Sequence, residues 1–190
     1  MVMGLGRAAR AAEAREVLVP DVAFGAVVAA VGGTDLQIGI DPSLPLATLK
    51  AGGVELGFAE RLLIKGSGEV RRRFLDDARN APKLGAAVRD GLRTVWPELG
   101  DDLASRHKEW SRGLARQVLR WTQQLGEAGL RGKRVRDPGG RIYLLEWAGA
   151  TVADDGAEAP AALARAPSEP SAPTPSAYRD YVQALVDALG

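Results

Sequence analysis

No cysteine occurs among the 190 residues. Disulfides, thiolate metal sites and cysteine nucleophiles are therefore excluded, while the compartment stays open. Histidine is almost as scarce: His107 stands alone. A Ser-His-Asp arrangement would have to use it, and no Gly-x-Ser-x-Gly elbow accompanies it beyond a faint echo at Gly66-Ser67-Gly68. Aromatics make up 5% of the chain, so Ala, Val and Leu must fill most of the core. The formal net charge is only +1, which gives no general attraction to nucleic acid or membrane. No nucleic-acid partner is expected. No apolar run approaches the roughly 20 residues that span a bilayer, so an integral membrane protein is not expected either. Met1 to Glu16 carries arginines and alanines without a continuous apolar stretch, unlike a secretory signal.

What is present organises itself around one long helix, expected over Asp101 to Leu125. Leu103, His107, Trp110, Leu114, Val118, Trp121 and Leu125 recur at three- and four-residue steps, the spacing of one helix face. Arg106, Lys108, Glu109, Arg112, Arg116 and Arg120 lie on the other face. Large aromatics on such a stripe signify core, and His107 among them reads as a packed or hydrogen-bonded residue, without partners for a metal.

Before this helix, residues 1–16 form an Ala/Arg-rich tail. Gly4-Leu5-Gly6 in it suggests a dinucleotide loop only superficially, since no strand precedes it. Val17-Leu18-Val19 reads as a strand, Val22 to Val31 as a helix stopped by Gly32-Gly33, and Leu36 to Ile40 as a second strand. Strand, helix, strand at this length implies a parallel pair with a right-handed crossover. Leu46 to Ala51 reads as a helical turn or two, broken by Gly52-Gly53, and Val54 to Phe58 as a strand. Asn80 is the expected N-cap of a helix with Pro82 in its first turn and Pro97 at its end.

After the long helix, Lys133 to Arg136, Ile142 to Trp147 and Ala150 to Val152 form a second strand–helix–strand unit, so the class is α/β. Asp154 to Pro175, rich in Ala, Pro, Ser and acidic residues, reads as a linker. Ser176 caps a terminal helix reaching Leu189, whose apolar face must dock on the body. The expected organisation is a tail (1–16), an N-terminal α/β lobe (17–100), a connecting helix (101–127) and a shortened C-terminal lobe (128–190) that includes the linker (154–175) and terminal helix (176–189).

Several basic runs invite a chemical reading. Arg71-Arg72-Arg73, next to Asp76 and Asp77, reads first as a solvated turn with local ion pairs. The sharper reading is an anion site, because guanidinium pairs bidentately with carboxylate or phosphate. Asp137-Pro138-Gly139-Gly140 is a tight turn between strand and helix that is also able to cradle an anion. Glu55 and Glu60 have no fixed separation and make a weak acid/base pair.

The order of these pieces resembles the zinc/manganese substrate-binding proteins of ABC transporters. Val17-Leu18-Val19, Val27-Val28-Ala29-Ala30-Val31-Gly32-Gly33 and Leu36-Gln37-Ile38 resemble that family's opening. Asp41-Pro42-Ser43 falls where it has Asp-Pro-His, and Phe74 to Leu84 resembles its His-Val-Trp-Leu-Asp-Pro-x-Asn-Ala stretch. Ala81 to Trp96 with Asp101 to Leu125 resembles the approach to its backbone helix. Gly132 to Val135, Tyr143 to Val152 and Tyr178 to Leu189 resemble parts of its second lobe.

The resemblance implies two α/β lobes joined by a backbone helix, non-enzymatic solute binding, an ABC permease or another protein as partner, and a place outside the cytoplasmic membrane. It also implies that Ser43, Arg72 or Arg73, and Asp137 or Pro138 stand where the family has metal-binding histidines. Ser43, Arg72, Arg73 and Asp137 are thus candidate cleft-lining residues. Arginine is no donor to a cation, so the family's metal site is not expected. No cofactor is expected, zinc or manganese entering only through other residues. The alternatives are an interaction module built on the same fold and an anion-binding cleft.

Overall fold

The computed structural model describes residues 15–137 and 139–190. Gly4-Leu5-Gly6, most of the expected tail, and Pro138 lie outside the described residues.

The chain is α/β, with two small sheets and helices packed between and around them. Strand β1 (Arg15–Val19) begins two residues earlier than its apolar run, with Val17 and Val19 fully buried. Helix α1 (Val22–Gly32) follows. Asp21 is its N-cap, accepting from the Phe24 amide at 2.8 Å. It is apolar nearly all round and is buried accordingly. Strand β2 (Leu36–Ile40) returns parallel to β1, from Arg15 opposite Leu36 to Val19 opposite Ile40, as the strand–helix–strand reading requires.

The next segment corrects the sequence reading. Thr48–Ala51 is strand β3, antiparallel to β1, and Val54–Gly57 is strand β4, antiparallel to β3. The sheet order is β2-β1-β3-β4 and the sheet is mixed. Gly52 and Gly53 both take positive φ (56° and 81°), as primed two-residue hairpin turns demand. Those glycines join two strands instead of ending a helix. Leu49 and Ala51 are buried with Lys50 exposed between them, the period-two pattern of a strand.

A short helix α2 (Glu69–Arg72) and 3-10 turns at Arg73–Asp76 and Ala78–Asn80 lead to α3 (Ala81–Val95). Asn80 does not cap α3. Its side-chain amide instead donates to the Phe74 carbonyl at 2.7 Å. Helix α4 (Gly100–Glu127) has 28 residues, about 42 Å at 1.5 Å per residue. Leu103, Leu114, Trp121 and Leu125 are buried, while Trp110 and Val118 are half-buried. Gly85 lets α3 approach α4 closely, since a Cβ there would lie 2.6 Å from Trp110.

The second sheet is entirely parallel, in the order β6-β5-β7. It is built from β5 (Arg134–Arg136), β6 (Thr151–Val152) and β7 (Ala157–Glu158), with α5 (Ile142–Trp147) crossing between β5 and β6. β7 lies in the stretch read as a linker. That stretch is ordered in part by contact: Leu163 is buried, and the carbonyls of Ala166 and Pro167 accept from Arg141. Helix α6 (Pro175–Asp187) closes the chain. Its cap is Thr174, accepting from the Ala177 amide at 3.2 Å, and not Ser176. Tyr178, Tyr181, Val182, Leu185 and Val186 are buried against the body. Trp121 donates to Gln183 at 2.8 Å and Trp147 to Thr122 at 3.0 Å, tying α4 to α6 and α5. One apolar core runs through the described residues from β1 to α6.

Candidate functional site

β1 ends at Val19 and leads to Asp21; β5 ends at Arg136 and leads to Asp137. In open α/β sheets the crevice outside the carboxyl ends of the parallel strands is where ligands collect. Here two adjoining hollows lie at those ends. One, about 260 Å³, is lined by Asp21, Glu69, Arg72, Arg73, Glu169 and Tyr181 among others. The second, about 370 Å³, has Arg73, Asp137, Arg141 and Glu158 against an apolar wall from residues 159–166. Arg73 and Ser168 border both, so the two form one stepped cleft.

Its floor is a buried charged triad. Arg141 Nη1 donates to Asp76 Oδ2 and to the Tyr181 hydroxyl, each at 3.0 Å, and Nη2 donates to the Pro167 carbonyl at 2.6 Å. The Tyr181 hydroxyl donates in turn to Asp76 Oδ1. Arg141 and Asp76 expose 4% and 2% of their surface, so neither charge is tolerable without the other. Burial pushes the Asp76 carboxyl up, and Arg141 and Tyr181 pull it back. Burial and the neighbouring Asp76 push the Tyr181 hydroxyl far above its ordinary value, keeping it a proton donor. Three elements distant in sequence meet here: the Arg73–Asp76 turn, the entry to α5, and α6.

The sequence expected Asp76 and Asp77 to pair locally with the Arg71–Arg73 run, and the pairing differs. Asp76 takes Arg141, Asp77 takes Arg79 at 2.6 Å, and among the described residues Arg72 reaches only Glu69, at 3.5 Å. The triad gave little sequence signal, since Tyr181 sits in an ordinary apolar stripe and Arg141 follows two glycines.

Asp21 is the other unexpected member. One carboxylate oxygen caps α1, while Oδ2 is buried and has no hydrogen-bond partner among the described residues. Burial raises its pKa above the ordinary aspartate value of 3.8. Its helix amides and the charge of Arg72 oppose that rise, and Glu169 adds to it. A buried polar oxygen without a partner demands a reason.

Of the candidates from sequence, Arg72, Arg73 and Asp137 are brought to the cleft. Asp137 is half-buried, with Oδ1 accepting from the Gly139 amide at 3.2 Å. Burial raises its pKa, opposed by the backbone amides of Arg141 and Gly139 and by the charges of Arg141 and Arg73. Ser43 does not line the cleft. It is exposed in the loop after β2, where its hydroxyl donates to Asp41 Oδ1 at 2.6 Å and its amide to the same atom at 3.0 Å. That local turn holds the Asp41 carboxyl below its ordinary value.

The residues do not suit a metal. Among the described residues no group of three or more His, Cys, Asp or Glu is placed to hold one. Arg72 and Arg73 would repel a cation beside Asp21. His107 lies between α3 and α4, within 3.2 Å of Ser111 Oγ and 3.4 Å of both the Pro82 carbonyl and Arg89. Partial burial lowers its pKa, and the Arg89 charge acts in the same direction.

Among the described residues no helix is long and apolar enough to cross a membrane. No family model, no curated protein and no solved structure matches the chain.

Proposed function

We propose that this chain is a non-enzymatic binding protein that takes a small charged solute in the cleft between its two sheets. The observation that carries the reading is the convergence of both parallel strand ends on one stepped cleft with charged walls, beside which Asp21 Oδ2 is buried with no hydrogen-bond partner among the described residues. In this reading the chain is a divergent relative of the zinc/manganese receptors of ABC transporters. An arginine, Arg72 or Arg73, stands at one former metal-ligand position, the protein works outside the cytoplasmic membrane, and its partner is a permease in that membrane. The cleft holds no His or Cys among its described lining residues, and its arginines suit carboxylate or phosphate groups.

The test pairs two titrations. Calorimetry with zinc and with manganese is expected to show no tight site; a tight one overturns the reading. Thermal melting with a panel of small carboxylates, phosphates and amino acids is expected to show a binder whose stabilisation is lost in Arg72→Ala/Arg73→Ala. At a hundred times Kd a ligand raises stability by about 2.7 kcal/mol, well within detection.

A second reading, an interaction module, draws on the outer face of α4, where Leu119 is 72% exposed among Arg112, Arg116 and Arg120. The terminal helix offers no comparable face, because its apolar residues lie in the protein's own core. This reading predicts a stable oligomer or partner complex by light scattering and an unresponsive cleft.

A further inference from the structure

The charges around the smaller hollow divide into two sets. Asp21 and Glu169 form an acidic set. Both line the hollow, and Asp21 Oδ2 is buried with no partner among the described residues. Arg72 and Arg73 form a basic set. Arg72 has only the 3.5 Å contact with Glu69, which is 87% exposed, and Arg73 makes no ion pair among the described residues. Two charged residues remain: Glu69, the contact of Arg72, and Asp76, which is neutralised by Arg141. Ala23, Leu75 and the Tyr181 ring complete the lining.

A ligand of one sign meets a like charge here. An anion would face Asp21, Glu69 and Glu169; a cation would face Arg72 and Arg73. Each like-charge approach at about 4 Å costs several kcal/mol at the dielectric of a partly buried site. A ligand carrying both signs a few bonds apart satisfies both sets at once. The volume, about 260 Å³, falls just under the range of about 300–1,000 Å³ typical for drug-sized ligands, so the molecule is small.

Resting on the binding-protein reading above, we propose that the solute is a zwitterion of free-amino-acid size. Its ammonium lies toward Asp21 and Glu169, and its carboxylate is paired with Arg72 and Arg73. Carboxylate–guanidinium pairing is bidentate and directional, while an ammonium brings three donors to the carboxylates of Asp21 and Glu169.

The test is calorimetric titration of the full chain with each of the twenty common amino acids, then with the methyl ester and N-acetyl derivative of every binder. One or more free amino acids are expected to bind, with each derivative at least tenfold weaker because it lacks one charge. Asp21→Asn is expected to weaken binding at least tenfold. It should remain folded by circular dichroism, since the Asn carbonyl still caps α1. Glu169→Gln, at an exposed position, is expected to weaken binding severalfold with no effect on folding. Equal binding by either derivative overturns the proposal. So does binding only of inorganic phosphate or a dicarboxylate that depends on Arg72 and Arg73, although the cleft reading then stands. If none of these solutes binds the wild-type chain, both the zwitterion and the cleft reading fall.

Discussion

Replacing Arg141 by Met would leave Asp76 buried without a cation. Breaking a buried pair from one side costs about 3–5 kcal/mol, whereas removing both charges costs much less. Arg141→Met is therefore expected to lower unfolding stability by about 3–5 kcal/mol in urea, and Asp76→Asn in the same chain to recover part of it. Additive losses would show that the two side chains do not act as a pair. At Asp21 the sign is opposite to the usual carboxylate case. Its folded pKa is raised, so the native state holds the proton more tightly than the unfolded chain. Its contribution is most favourable below the ordinary value of 3.8 and is lost as pH rises through the folded value. Asp21→Asn keeps the cap and removes the charge, so it is expected to raise Tm at pH 7 and to make little difference below pH 3.8. A lower Tm at pH 7 would mean that the helix amides and Arg72 outweigh burial.

The elements show which local signals were sufficient. β1, α1, β2, α3 and α4 follow from apolar spacing and helix stops, signals that each lie within a single segment. β3 was misread because Leu46 to Ala51 is too short to separate a helical from a strand period, and its strand partner β1 lies some thirty residues earlier. Capping was legible as a chemical type but not as a position: Thr174 and Ser176 both precede the α6 stripe, and only the backbone decides which one accepts. Thr174→Ala is expected to cost about 1 kcal/mol in chemical denaturation, with Ser176→Ala nearly neutral; equal losses would refute the assignment. Gly85→Ala, usually favourable inside a helix by up to about 1 kcal/mol, is here expected to destabilise. The added Cβ would meet Trp110 at 2.6 Å, and overpacking costs about 1–3 kcal/mol. A higher melting temperature for that variant would show that α3 and α4 have room to separate.

At the scale of the molecule, the C-terminal helix is part of the core and of the cleft together. Tyr178 donates to the Leu75 carbonyl at 2.8 Å and Tyr181 supports the buried triad. Burial of Tyr178, Tyr181, Val182, Leu185 and Val186 contributes about 1.5–3 kcal/mol for each apolar side chain. Their sum is comparable with a whole domain's stability of about 5–15 kcal/mol. A chain ending at residue 173 is therefore expected to lose its cooperative thermal transition and near-ultraviolet dichroism. A folded truncated chain would show that α6 merely covers an already complete body.

The sequence by itself determined the α/β class, the long helix, the parallel β1/β2 unit and the scarcity of metal donors. Each of these depends on composition or on spacing within one segment. It also placed Arg72, Arg73 and Asp137 as cleft candidates, through a resemblance in the order of motifs. Only the tertiary structure decided that Ser43 turns back on Asp41, that the Ala/Pro-rich stretch contributes a strand, and that Asp76 faces Arg141 and Tyr181. It alone left Asp21, a residue lining the cleft, with a buried oxygen that has no partner among the described residues. The physical reason is the same in each case. Buried charges and short strands are stable only through partners many residues away, and no local periodicity encodes which distant partner will arrive.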